Sequence, residues 1–512
     1  MEQGFRASMN WLHTWAGVVL GGLLFAIFWM GTLAVFDREI DRWMAPMIRL
    51  PAPAKTFSLE PLRPFYEEAA AAKSPVFSAA LPTDRDAAIR LLWRGQTGFV
   101  YRFVDPSSGT VLPDAGTLGG TRFIFPFHYM LHLRFLDIGY WLVGLAGMAM
   151  MAMCVSGVVI HRKIFSDFFT FRPDRKPRRL ILDLHNVTGV LGLPFHFLIS
   201  LSGLIILWST YFPSSWQLTY NNDRLAFFAD AYGNVIPKGR SGQPGGLASF
   251  DTMAAEARRM WDGSALRYFF VRNPGDAKSI AQFGRLDEGI VSSTYDAAYF
   301  DGPTGALISY RTGTAPVMSM QRFLSGLHFI QFNHWSLRWI YFGLGLAGCV
   351  LIATGYLFWL ESRRKKHAQL GLKGVRFVDG LAVGSVTGML IATTAFFVVN
   401  RLLPLGARAF GENREALEVW TFYLVWLATF AHAWTRPQRA WLEQCWTVAA
   451  LACAAALLNW VTTGDHLLHS LAHRHLWPVA GMDILLLAGA AIAAFSALRL
   501  SRPSRVARVR HA

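Results

Sequence analysis

DLHNVTGVLGLPFHFLISLSGLIILW, residues 183–208, decides the fold. The stretch is apolar and long enough to cross a bilayer, whose hydrocarbon core takes roughly 20 residues of helix. Yet it holds two histidines, His185 and His196. A membrane reading of this stretch draws the rest of the chain with it. Of 512 residues, 53% are hydrophobic and 16% charged, with 39 Phe and 19 Trp, the balance of a membrane protein rather than a soluble enzyme. The cysteines Cys154, Cys349, Cys445 and Cys453 all fall in apolar stretches. Their spacings match neither a disulfide framework nor a zinc knuckle, so they read as small core residues.

Eight stretches qualify as spans: 11–36, 138–161, 184–210, 337–360, 377–400, 417–434, 441–463 and 479–500. The sixth is the shortest. The first lacks a small-residue cleavage site and reads as a retained helix. Lys and Arg orient the bundle. HRKIFSDFFTFRPDRKPRR follows the second span, ESRRKKHAQLGLKGVR follows the fourth, and LRLSRPSRVARVRHA ends the chain. With all three in the cytoplasm, both termini lie inside and both long polar segments lie outside. The net charge of +16 is then a topology signal in contact with lipid, not a nucleic-acid surface.

The predicted organisation is a span over 1–36, an outside segment over 37–125, a span over 126–161 and a cytoplasmic loop over 162–183. A span over 184–210, an outside segment over 211–325, a span over 326–360 and a loop over 361–376 follow. A four-helix membrane extension over 377–500 and a basic tail over 501–512 complete the chain. Each outside segment reads as a small α+β module. AAIRLLWRGQTGFVYRFVDPSSGTVLPD predicts strand, turn, strand, turn, strand, and YFFVRNPG with VSSTYDAAYFDGPTGALISY predicts the same. LEPLRPFYEEAAAA and FDTMAAEARRMW predict a helix before each.

The chain also repeats itself. His13 precedes Gly31 by 18 residues and His185 precedes Gly203 by 18, each with a glycine four residues after the histidine. FVDPSSGTVL at 103–112 matches YFDGPTGALI at 299–308, an offset of 196, and Ser156-Gly157 matches Thr354-Gly355, an offset of 198. The predicted unit is helix, outside module, helix, used twice. The repeat turns single histidines into a constellation, because an ionisable group inside a membrane is costly and marks function by default.

Eleven residues at about 100° each overshoot three turns by about 20°. His185 and His196 therefore share one helical face at two depths, a spacing that suits two stacked b-type haems better than one compact metal site. His13, His161 and His185 sit near the predicted inner ends of their helices, and His128, His132, His328 and His334 at the outer face. His128 and His132 read as an i, i+4 pair on one face, and pseudo-symmetry suggests His13 with His185 and His132 with His328. In the tail, His466, His469 and His473 have helical metal-ligand spacing beside Asp465. No CxxCH, GxGxxG between strand and helix, P-loop, HExxH or GxSxG occurs. The cytoplasmic loops are too short for a flavin or nicotinamide domain, so electrons entering from inside come from a quinol or a separate protein.

LHTWAGVVLGGLLFAIFWMGTLAVF, LHLRF with VSGVVIHRKIFSDFFTFRP, DLHNVTGVLGLPFHFLISLSGLIIL and LHFIQFNHWSLRWIYFGLGLAGCVLIATGYLFW together resemble the PepSY-associated transmembrane helix family over about residues 8–366. The resemblance implies a four-helix membrane core with PepSY-type periplasmic modules. It also implies an iron-regulated inner-membrane protein, of which some members are haem-containing ferric-siderophore reductases. Carried over residue by residue, the matching histidines are His13, His132, His185 and His328, with His128, His161 and His196 inside the matched motifs. The four C-terminal spans depart from the shortest members. The expected function is an oxidoreductase that reduces ferric siderophore through two b-type haems. The competing readings are a non-enzymatic PepSY regulator or sensor and a metal or haem transporter.

Overall fold

The structure, a computed structural model, describes residues 3–502 apart from 55, 97, 162–176, 234, 236–238, 287–288, 314–315 and 331–333. The basic run after the second predicted span and the basic tail fall largely outside the described residues. In chain order the elements begin with α1 (Gln3–Ala34), α2 (Asp37–Met44), α3 (Arg63–Ala71), β1 (Val76–Ala80), β2 (Ile89–Arg94) and β3 (Phe99–Val104). Next come α4 (Phe125–Met130), α5 (Ile138–Ile160), α6 (Pro177–Ile206), α7 (Arg224–Tyr232) and α8 (Phe250–Met260). The strands β4 (Leu266–Arg272), β5 (Ile280–Arg285), β6 (Ala297–Asp301) and β7 (Leu307–Arg311) follow, then α9 (Pro316–Phe329) and α10 (Trp335–Gln369). The chain closes with α11 (Gly374–Leu402), α12 (Arg414–Thr435), α13 (Ala440–Thr463), α14 (Leu467–Ala472) and α15 (Trp477–Ser501). They form two compact units. The first takes Met1–Ala45, Gly116–Leu204 and Trp335–Ala512, and the second takes Pro46–Ala115 and Ile205–His334.

The first unit is mostly helical, and among the described residues seven of its helices are long and apolar enough to cross a membrane, so the chain is a multi-pass membrane protein. The sequence led us to expect eight. The missing member is α12, a full helix of 22 residues whose Trp, Tyr and Thr content, with Glu418 and His432, makes it less apolar than the others. It packs where α11 is smallest: a Cβ on Gly380, Gly384 or Gly388 would overlap Trp434, Phe430 or Thr429 of α12. Small residues at i, i+4 spacing let two backbones approach, which is how membrane helices gain packing without a hydrophobic drive between them.

Two boundaries differ from the expectation. α2 reads as polar outside chain, but Asp37–Met44 belongs to the membrane unit. Its polar groups are answered there: Asp41 accepts from the Gly120 N–H at 2.7 Å and the Thr121 hydroxyl at 2.6 Å, and Trp43 Nε1 donates to Asp483 at 2.8 Å. Buried polar groups persist only when paired in this way. The span expected over 326–360 is two helices. α9 belongs to the second unit and α10 to the first.

The second unit corrects the expectation of two separate modules. Its strands form one antiparallel sheet in the order β3-β2-β1-β4-β5-β6-β7. β1 and β4 join the halves, with Val76 opposite Arg272 and Ala80 opposite Tyr268. Alternate residues Phe77, Trp93, Phe269 and Phe283 bury one face under Tyr66 of α3 and Phe250, Met253 and Ala257 of α8, the period-2 pattern of a half-covered sheet. The third strand expected near Val111 is a lone bridge to Val104. The two FVDPSSGTVL-like stretches make matching turns. Asp105 and Asp301 each accept from the glycine four residues on, Gly109 and Gly305, at 2.8 Å. Both glycines have φ +71°, the left-handed region that favours glycine.

Candidate cofactor cavity

A cavity of about 440 Å³ opens between α1, α5, α6 and α10, all within the first unit. Its size falls in the range of small-molecule and cofactor sites, about 300–1,000 Å³. His13 and His185 face each other across it, with ring centres 6.3 Å apart and planes at 89°.

Each histidine is held in one tautomer by the helix opposite. His13 Nδ1 lies 3.1 Å from the Met153 carbonyl oxygen and 3.1 Å from the Ser156 hydroxyl. His185 Nδ1 lies 3.0 Å from the Leu351 carbonyl oxygen and 3.4 Å from the Thr354 hydroxyl. A carbonyl only accepts, so each Nδ1 carries the proton and donates it. Each Nε2 is thereby left as the ring nitrogen for a ligand, the arrangement that orients imidazoles at metal sites. A Cβ on Gly157 would sit 3.4 Å from His13 Cε1, and one on Gly355 3.4 Å from His185 Cε1. Met153, Ser156 and Gly157 match Leu351, Thr354 and Gly355 at the 198-residue offset. The match continues at the cavity edge. Arg6 donates to the Ile160 carbonyl, and Arg178 stands over the Phe358 ring at 5.7 Å.

The cavity has a polar end and an apolar end. Asn10, His161, Arg179 and Arg363 line it at the helix ends that run into the basic stretches. Arg179 meets Asp183 at 2.9 Å. Deeper along the helices the lining is Val18, Gly21, Leu24, Met150 and Leu193, closing on His196. That ring is 0% exposed. It uses Nε2 on the Leu344 carbonyl at 3.1 Å and packs its edge on Phe28 at 5.6 Å. His185 and His196 thus line one cavity from one helix.

The remaining sequence candidates separate. His128 donates Nδ1 to the Ile27 carbonyl at 2.9 Å and lies against Gly31 of α1. The expected helical pair of His128 and His132 does not form. α4 ends at Met130, and Leu131 and His132 both have φ of +52°, which turns the chain before α5. His132 then stacks on Phe123 at 4.9 Å with Nε2 on the Phe123 carbonyl at 2.9 Å. His328 lies on α9 of the second unit beside Phe329. In the tail the imidazoles step along the chain rather than converge. Ring centres are 6.0 Å apart from His466 to His469 and 4.4 Å from His469 to His473. His466 Nδ1 caps α14 by accepting the His469 N–H, and His473 Nδ1 bonds the His469 carbonyl. Among the described residues no three His, Cys, Asp or Glu side chains form a group that could hold a metal ion. Arg179, Arg363 and the carbonyls of Met153 and Leu351 were missed from sequence. Only the two carbonyls carried a signal, the Ser156-Gly157 and Thr354-Gly355 match beside them.

A family model described as PepSY-associated TM region matches residues 10–362, which takes in α5 and α6 and most of α1 and α10. An uncharacterized protein of Pseudomonas aeruginosa is 26% identical over 344 residues, covering 64% of this chain and 84% of that protein.

Proposed function

The chain belongs to the PepSY-associated TM region family, and from that premise we propose that it is a transmembrane electron carrier of the bacterial inner membrane. In this reading it delivers electrons, received from a quinol or a separate reductase, to ferric iron held by a siderophore on the periplasmic side. The observation that carries the reading is the facing pair His13 and His185, each with Nδ1 committed to a carbonyl of the opposite helix. A b-type haem bound there supplies a one-electron couple inside the membrane. The chain's own residues do the rest. His13 and His185 offer two neutral Nε2 donors, and Gly157 and Gly355 leave their rings room. The apolar lining excludes water, and Arg179 and Arg363 at the polar end suit a macrocycle with two carboxylates.

Reduction weakens the hold of hard oxygen ligands on iron, because the ferrous ion is less charged and softer. No acid–base residue is required for that outer-sphere step. We read α12 as an eighth crossing. An even count returns the C-terminus to the side of the N-terminus, with the basic stretches in the cytoplasm and the sheet unit in the periplasm. We also read the sheet unit as the product of a duplication, on the strength of its paired Asp105 and Asp301 turns.

The test is a reduced-minus-oxidised visible spectrum and a pyridine haemochrome assay on protein purified in detergent from haem-replete cells. A b-type signal of at least one haem per chain, reoxidised by a ferric chelate, is expected. Well-folded protein without haem refutes the proposal.

A further inference from the structure

The second unit sets a buried arginine, Arg322, beside a half-buried one, Arg311. Arg322 of α9 is 4% exposed, and its guanidinium lies 4.9 Å above the Tyr295 ring. Arg311, at the end of β7, donates Nη2 to the Tyr295 carbonyl at 2.9 Å. Among the described residues, Nε and Nη2 of Arg322 and Nε and Nη1 of Arg311 are buried without a hydrogen-bond partner. So is the hydroxyl of Ser293, whose N–H donates to the Arg322 carbonyl at 3.0 Å. Tyr232 flanks the group with its ring 5.5 Å from Tyr295. Gly233 has φ +60°, and a Cβ there would meet Arg311 Nη1 at 2.5 Å. The acid that acts on Arg322, Asp296, already answers Arg285 at 3.4 Å and the Gly313 N–H at 3.3 Å. Burial, and then the neighbouring Arg311, pull Arg322 below the ordinary guanidinium range.

A guanidinium is not left charged, desolvated and unanswered without cost. Here two of them meet at one residue, Arg322 over the Tyr295 ring and Arg311 on its carbonyl, and their spare N–H groups outnumber the local acceptors. Planar donor forks match paired oxygens such as those of a carboxylate or a catecholate. We propose that Arg311, Arg322 and Ser293 seat an oxyanion group of a ferric chelate, carboxylate or catecholate in chemistry, beside Tyr295. The inference rests on the electron-carrier reading for its ligand. It assigns the substrate a docking point on the sheet unit.

The test uses the full chain in detergent, titrated calorimetrically with gallium(III) citrate and gallium(III) catecholate. Gallium matches ferric iron in charge and is not reduced, so the readout does not depend on haem. Saturable binding of one of these complexes is expected, weakened at least about tenfold by Arg311→Gln and by Arg322→Gln, and unchanged by Arg259→Gln on the exposed face of α8. Arg311→Gln carries the test if Arg322→Gln does not fold. Absence of gallium-complex binding, or binding unaffected by either substitution, overturns the seat. Inorganic phosphate binding as tightly as the gallium complexes overturns the chelate assignment in favour of a free anion. Protein that binds gallium chelate but holds no haem refutes the electron-carrier reading and leaves the seat standing.

Discussion

Replacing His185 with alanine separates a ligand from a core residue. The side chain makes one hydrogen bond that matters to folding, Nδ1–H to the Leu351 carbonyl at 3.0 Å. That carbonyl also accepts from the Thr354 hydroxyl at 3.0 Å, so deleting the ring leaves no orphaned acceptor. The loss is then one net hydrogen bond, about 1 kcal/mol or less inside a membrane. The ring borders a cavity of about 440 Å³, so its removal forfeits packing on one side only. His13→Ala obeys the same arithmetic, because the Met153 carbonyl also accepts from Ser156 at 3.2 Å. Compared as haem-free proteins, each variant should shift thermal unfolding in detergent by no more than about 4 °C, and each should lose most of its b-type haem by pyridine haemochrome. The two variants should behave alike, because their pockets are built alike. An unchanged haem-to-protein ratio in either variant, or a large loss of stability with haem retained, refutes the reasoning.

Other outcomes follow from the sheet unit. Gly109→Ala and Gly305→Ala each put a Cβ on a residue at φ +71° and against Pro61 or Ala248, at 2.6 Å and 2.9 Å. Each should destabilise the unit by roughly 1–2 kcal/mol in denaturant unfolding, and a neutral result at one site alone would contradict the matched turns. Asp276 accepts from the Ser241 N–H at 3.0 Å and hydroxyl at 2.8 Å, the Gly242 N–H at 3.0 Å and the Lys278 N–H at 2.8 Å. The Ser241 N–H is the leading cause, and together these donors outweigh burial and hold the carboxyl well below the usual carboxylate range. A depressed folded-state value adds stability above the unfolded pKa, about 3.9, and that stability is lost as pH falls through the lower folded value. Asp276→Asn should therefore be less stable than the native chain at neutral pH. The gap should close as unfolding is followed from about pH 4 downward, and a gap that is constant across that window would argue against the linkage.

Much of the membrane unit was legible in the chain. Roughly 20 apolar residues make a span whatever surrounds them, because the lipid requires the backbone to satisfy its own hydrogen bonds. The 18-residue spacing from His13 to Gly31 and from His185 to Gly203 marked two equivalent positions, which the structure sets face to face across the cavity. The tertiary structure decided what depends on distant partners. Two segments separated by a membrane passage became one sheet because β1 pairs with β4, a long-range register no local pattern encodes. α2 reads as polar loop and is buried because Gly120, Thr121 and Asp483 answer it. His132 left its expected helical face through backbone conformations that sequence periodicity does not report. Arg311 and Arg322 became a pair only when β7 and α9 brought both to Tyr295. Hydropathy and periodicity are properties of one segment, whereas pairing, burial of charge and the meeting of two histidines across a cavity belong to segments far apart in the chain.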